Sequence, residues 1–244
     1  MKTTRKRTLR YAFTGLILIA AVTFSSCAVK NEVNLSVNGS GTASTDVILD
    51  ESLVFYLESL AELTGENTDG PLFNVDEIKK SMEENPGITV EAIENIDDKR
   101  ITAEIRFDDI EQLIAESEAT LNKQIISFKE YGAEKEISIY IDIDNFQDIA
   151  PLFPIVEEPL FMTFGPLENQ GISEDEYLEM MEYALGDGGG ELIRESMITT
   201  VINIDGTLIS QKGGTAKGHS VTFETPLIRI LLLDQPIEYV IRFK

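Results

Sequence analysis

NPGITVEAIENIDDKRITAEIRFDDIEQL, residues 85 to 113, decides the class of fold. Asn85-Pro86-Gly87 stops whatever helix precedes it, because proline lacks the N–H that a helix needs and glycine relaxes the chain into a turn. Ile88, Val90 and Ala92 then alternate with polar residues, Asp97-Asp98 turns the chain, and Ile101, Ala103, Ile105 and Phe107 alternate back. A period of two on both sides of a turn predicts a hairpin with one apolar and one wet face. The chain then runs directly into a helix opened by Asp108 with Glu111 three residues later, whose apolar face is Ile110, Leu113 and Ile114.

The same unit recurs on both sides. Val33, Leu35 and Val37 alternate into Asn38-Gly39, a hairpin turn signal, and residues 42 to 49 return as a strand. From Asp50 the period lengthens: Leu53, Leu57 and Leu60 with Val54 and Ala61 share one face of a helix that Gly65 can stop. After a loop, GENTDGP, Asn74 with Glu77 opens the helix that ends at Pro86. A third hairpin runs from Ile126 and Phe128, through Tyr131-Gly132, to Ile137, Ile139, Ile141 and Ile143. Asp144 with Gln147 predicts a short helix, and Ser173 with Glu176 a longer one that turns Tyr177, Leu178, Met181, Ala184 and Leu185 inward and ends at Gly186. Strands return at 198 to 204, 221 to 223 and 237 to 243. Hairpins alternating with helices predict an α+β fold, an antiparallel sheet of hairpins with helices packed on one face. Residues 27 to 244 are expected to form one such domain, with 150 to 167 as the place to divide it if there are two lobes.

The head of the chain has another character. Lys2, Arg5, Lys6, Arg7 and Arg10 precede an apolar run over residues 11 to 24, the small pair Ser25-Ser26, and Cys27, the single cysteine. A run that short falls below the roughly 20 residues of a spanning helix. A basic head, a short apolar run and small residues form a secretory signal, which assigns residues 1 to 26 to export. A cysteine directly after the small pair makes the segment resemble a bacterial lipoprotein signal, although Phe24 stands where that pattern prefers leucine. The resemblance implies that Cys27 is the first mature residue and that its sulfur carries diacylglycerol. The expected address is then the extracytoplasmic face of the cell envelope, anchored through acyl chains and not spanning the bilayer. Only the residues AVKNE separate Cys27 from the alternation, a tether of about 15 to 20 Å at full extension.

Composition excludes several functions. The formal charge is −23, and cutting before Cys27 removes five basic residues and deepens it, which opposes nucleic acid as a partner. A hydrophobic fraction of 43% belongs to a folded globule, so the acidity is a wet surface over a core. One cysteine allows no disulfide within the chain, and His219, the single histidine, has no companion for a zinc site. DIDNFQD, residues 142 to 148, lacks the glycine and the closing glutamate of a calcium loop. GDGGGE (186 to 191) and QKGGTAKG (211 to 218) lack the lysine followed by Ser or Thr of a phosphate loop, and predict a helix stop and a strand-to-strand loop. Glu174, Asp175, Glu176, Glu179 and Glu182 predict the wet face of their helix. No spacing selects a catalytic set, so the expectation is a protein that is not an enzyme, with no metal and no cofactor.

One stretch stands apart. IAPLFPIVEEPLFMTFGPL, residues 149 to 167, concentrates Pro151, Pro154, Pro159 and Pro166 with Phe153, Phe161, Met162 and Phe164. Proline excludes regular pairing, which leaves an apolar segment free to cover the core or to meet an amphiphile. Phe153, Phe161, Met162 and Phe164 are therefore the candidate ligand contacts.

Two stretches, CAVKNEVNLSVNGSGTASTDVIL (27 to 49) and the opening 85 to 113, resemble the LppM-type domain of bacterial envelope lipoproteins in their order of paired strands, Pro-Gly and acid-led helix. That resemblance implies an envelope protein that binds lipid or glycolipid, and it carries over no catalytic residue. The alternative expectation is an envelope protein partner, of basic character, meeting the acidic surface.

Overall fold

The computed structural model describes residues 27–64, 72–116, 125–149 and 163–244. Its strands and helices follow in chain order as β1 (Ala28–Ser36), β2 (Gly41–Ile48), α1 (Glu51–Thr64), α2 (Val75–Glu83), β3 (Ile88–Asp97), β4 (Arg100–Phe107), α3 (Ile110–Glu116), β5 (Ile126–Tyr131), β6 (Glu134–Ile141), a 3-10 turn (Phe146–Ile149), α4 (Glu174–Leu185), α5 (Gly189–Glu195), β7 (Met197–Asp205), β8 (Leu208–Lys212), β9 (Thr215–Lys217), β10 (Ser220–Pro226), α6 (Leu227–Leu232) and β11 (Ile237–Phe243). The class is α+β, as the alternation predicted. All three hairpins form, and Gly39 and Gly132 take the positive φ values that their turns require.

The sheet arrangement differs from the expectation of one helix-covered sheet. A seven-stranded sheet has the order β3-β4-β2-β1-β7-β10-β9, and a second has the order β5-β6-β11-β8. Val33, Leu35, Ala43, Phe107, Ile202, Ile204, Val221 and Phe223 project from one face of the larger sheet onto Ile137, Leu208, Tyr239, Ile241 and Phe243 of the smaller one. A second layer of strands therefore closes much of this core, with Ile110 and Leu113 of α3 filling its margin. All neighbours pair antiparallel except β1 and β7, which run parallel in register from Ala28 against Met197 to Ser36 against Asp205.

Helix entries follow their capping residues, with two shifts. Asn74 accepts from Glu77 N–H and Ser173 forms the full reciprocal box with Glu176. The predicted Asp108 cap is instead Asp109, whose Oδ1 accepts from Glu111 N–H at 2.8 Å, because Asp108 turns to Arg106 at 3.5 Å. The predicted Asp144 cap is replaced by Asp142, whose Oδ1 accepts from the N–H groups of Asp144 and Asn145, both at 3.0 Å. Gly186 ends α4, but Gly189 and Gly190 do not belong to the stop. They lie inside α5, where an added Cβ would sit 2.6 Å from Met181 O and 2.7 Å from Leu178 O, so their missing side chains let α5 cross directly over α4.

Candidate functional site

Cys27 has no tether. The expected slack of AVKNE is absent because β1 begins at Ala28, and Cys27 itself is bonded on both sides of its backbone. Its N–H donates to Ser196 Oγ at 3.1 Å and its carbonyl accepts from Met197 N–H at 3.2 Å. Ser196 is 1% exposed and passes its own proton to Leu192 O at 2.7 Å, so the last turn of α5 holds the first residue of the sheet. Asp50 N–H, just before α1, donates to Cys27 Sγ at 3.3 Å. The sulfur is buried, and burial pushes the thiol pKa up against the opposing pull of the Asp50 N–H and Ser196 contacts, with the Asp50 charge adding to the rise. A protonated, enclosed thiol is a poor nucleophile and a poor metal ligand. Among the described residues no group of three or more His, Cys, Asp or Glu is placed to hold a metal ion.

The helix α5, whose C-terminal Ser196 bonds Cys27, belongs to an apolar helical cluster. Tyr177, Leu178 and Met181 of α4 pack with Ile193 of α5 and Ile228, Leu231 and Leu232 of α6, with Phe164 and Ile172 against them. Tyr177 donates its hydroxyl to Phe164 O at 2.7 Å, and burial holds that phenol protonated well above the ordinary range. The Phe164 ring meets Tyr56 of α1 edge to face, with centroids 6.5 Å apart. Phe164 thus joins α1 to α4 on the same side of the molecule as Cys27. The other three predicted contacts, Phe153, Phe161 and Met162, lie outside the described residues. Both flanks of their segment are placed: Phe146 before it and Leu167 after it share a core with Ile125, Leu233 and Ile237.

A different depression opens on the outer face of the seven-stranded sheet. It holds about 430 Å³ and is lined by Lys30, Glu32, Asp46, Glu94, Thr102 and Glu104 among others. Arg100 neutralises Asp46 through two parallel bonds of 2.9 and 2.8 Å, which leaves the surplus negative. This groove is open and ringed by charge, unlike the enclosed apolar cavity a lipid tail calls for. His219 is exposed and stands just before β10.

Sequence reading singled out Cys27 and Phe164 but not Ser196 or Asp50, since a serine 169 residues away carries no local sign of its partner. Phe55, 71% exposed on α1, was not singled out by sequence reading.

No protein-family model matches the sequence, and no curated protein is similar to it. Among solved structures, the chain is similar to the folded domain of the LppM protein of Mycobacterium tuberculosis, with a TM-score of 0.42 and 8% identity over 91% of this chain and 93% of that one. The resemblance is a loose one of overall chain course.

Proposed function

We propose that this chain is a lipid-anchored lipoprotein of the bacterial cell envelope, not an enzyme, acylated on Cys27 and engaging a lipid or other amphiphile through Phe153, Phe161, Met162 and Phe164. The signal-like head ending in Ser25-Ser26-Cys27 supports the anchor. The observation that carries the reading is spatial: Phe164, the described member of the apolar segment, packs on α4 and against Tyr56 of α1, the helix that follows the Asp50 N–H bonded to Cys27 Sγ. An acyl anchor and an amphiphile-contacting segment on one side of a domain place both beside the same bilayer. No helix among the described residues is long and apolar enough to cross a membrane, which is compatible with attachment by acyl chains.

Metabolic labelling with a fatty acid tests the anchor: the wild-type chain takes up label and partitions with membranes, and Cys27→Ala does neither. Mass spectrometry of lipid extracted from the purified protein tests the ligand, with co-purifying lipid expected and its loss expected in a Phe153→Ala/Phe161→Ala variant. Absence of any lipid from the wild-type protein refutes that half of the reading.

The acidic groove supports a second reading, a basic envelope protein docking across β1 to β4. Salt-sensitive co-purification of one crosslinked partner, abolished by Glu94→Lys/Glu104→Lys, would favour it.

A further inference from the structure

We infer that the Cys27 end of the molecule is a membrane-apposed surface that seats Phe55 and Ile96 in the interface of a bilayer poor in anionic headgroups; this rests on the acylation of Cys27 proposed above. A protein on a flexible linker tumbles above its membrane. Here the carbonyl of the anchor residue accepts from Met197 N–H and β1 starts at the next residue, so the bilayer surface and the domain meet within one residue of each other.

Strand register identifies what else lies at that end. Ala28 stands opposite Ile48 and Met197, Ile48 opposite Arg100, and Arg100 opposite Asp97. The start of α1 and the β3–β4 turn are therefore level with Cys27. Four of the eight exposed large apolar side chains of the described molecule lie toward this end, whereas Val37 lies past the other end of β1 and Tyr131 and Ile209 lie beside the Phe243 end of β11. Phe55 is in the second turn of α1, and Ile96 bulges from β3 beside Asp97 at 49% exposure. Leu72 precedes Phe73, whose carbonyl is held by Asn95 of β3 at 3.0 Å, and Tyr140 sits opposite Glu238 at the start of β11. An exposed phenylalanine and isoleucine are costly in water and favourable about 5 to 10 Å into a bilayer interface.

Charge selects among bilayers. Asp97, Asp98 and Glu58 are exposed at this end, where Lys99 is paired with Glu51 at 3.6 Å and Arg100 with Asp46 at 2.8 Å, and Lys30 is a further exposed cation. Such a surface is repelled by anionic headgroups within a Debye length of about 8 Å at physiological salt, and is tolerated by zwitterionic ones.

The chain contains no tryptophan, so a single substitution creates a unique fluorophore. The full-length protein with Phe55→Trp, Ile96→Trp or Val37→Trp is reconstituted into phosphatidylcholine vesicles containing brominated lipid. Val37 lies just past β1, about 30 Å from Cys27 along the strand. Blue-shifted, strongly quenched emission from F55W and I96W with unquenched V37W supports the inference, as does weaker quenching when phosphatidylglycerol replaces part of the phosphatidylcholine at low salt. Equal quenching of all three, or of none, overturns it. The mass of the Cys27 peptide from the same vesicles separates the two proposals: an unmodified cysteine overturns the anchor and the apposition together, whereas an acylated cysteine with unquenched F55W and I96W overturns the apposition alone.

Discussion

Ser196 organises more chain than its size suggests. Its hydroxyl joins Cys27 to Leu192, its N–H donates to Leu192 O at 3.0 Å, and its carbonyl accepts from Leu227 N–H at 2.9 Å, so three elements meet at one residue. In the uncleaved chain Ser196→Ala leaves the Cys27 N–H buried without its acceptor, and an orphaned buried donor costs about 1 to 3 kcal/mol. Urea denaturation should show that loss as a lower midpoint with an unchanged slope, whereas Ser220→Ala, at the far end of the sheet and only partly buried, should cost less. At this scale the sequence is uneven. Cys27 is legible because a signal-like head ends there, but its partner is not, because a hydroxyl that closes a contact across 169 residues looks like any other serine.

Elements were easier to read where a local rule governs them. Alternation and turn chemistry found the three hairpins, and the Ser173–Glu176 box found α4, since each depends on residues within four positions of one another. LIRILL, residues 227 to 232, is α6, yet six residues that are apolar except for Arg229 are too short a run for the period to separate helix from strand. Glu182, expected merely to face solvent, accepts from Gly188 N–H at 2.8 Å and Gly190 N–H at 2.9 Å at the start of α5. Those two bonds hold its carboxyl below the ordinary glutamate range. A depressed folded-state value means the contribution is fully present above the unfolded glutamate pKa of about 4.3 and is lost as pH falls through the folded value. The wild-type denaturation midpoint should therefore fall on acidification below that range. Glu182→Gln should lower the midpoint at neutral pH and flatten the acid limb, leaving the part due to Glu176, which is also held low by the Ser173 hydroxyl and N–H.

The whole molecule depends on the contact between its sheets. Phe223 of β10 stacks on Tyr239 of β11 with centroids 4.4 Å apart, and Val221 and Phe243 lie beside them fully buried. Phe223→Ala should destabilise by about 3 to 5 kcal/mol, while Thr102→Ala on the outer face of the same large sheet should stay within about 0.5 kcal/mol; thermal unfolding of both variants separates the two faces. Alternation foretold that every strand has an apolar face but could not say which strands share a sheet. The single expected sheet became two because β11 pairs with β6 and β8 instead of extending the β1–β7 ladder, and pairing across such separations leaves no local mark. The parallel β1–β7 ladder also sets a timetable. Cys27 leaves the ribosome before the serine that encloses it, and at about 5 to 20 residues per second the 169 residues between them take about ten to thirty seconds to make. Until Ser196 has been made, the sulfur of Cys27 lacks the enclosure that the folded domain gives it.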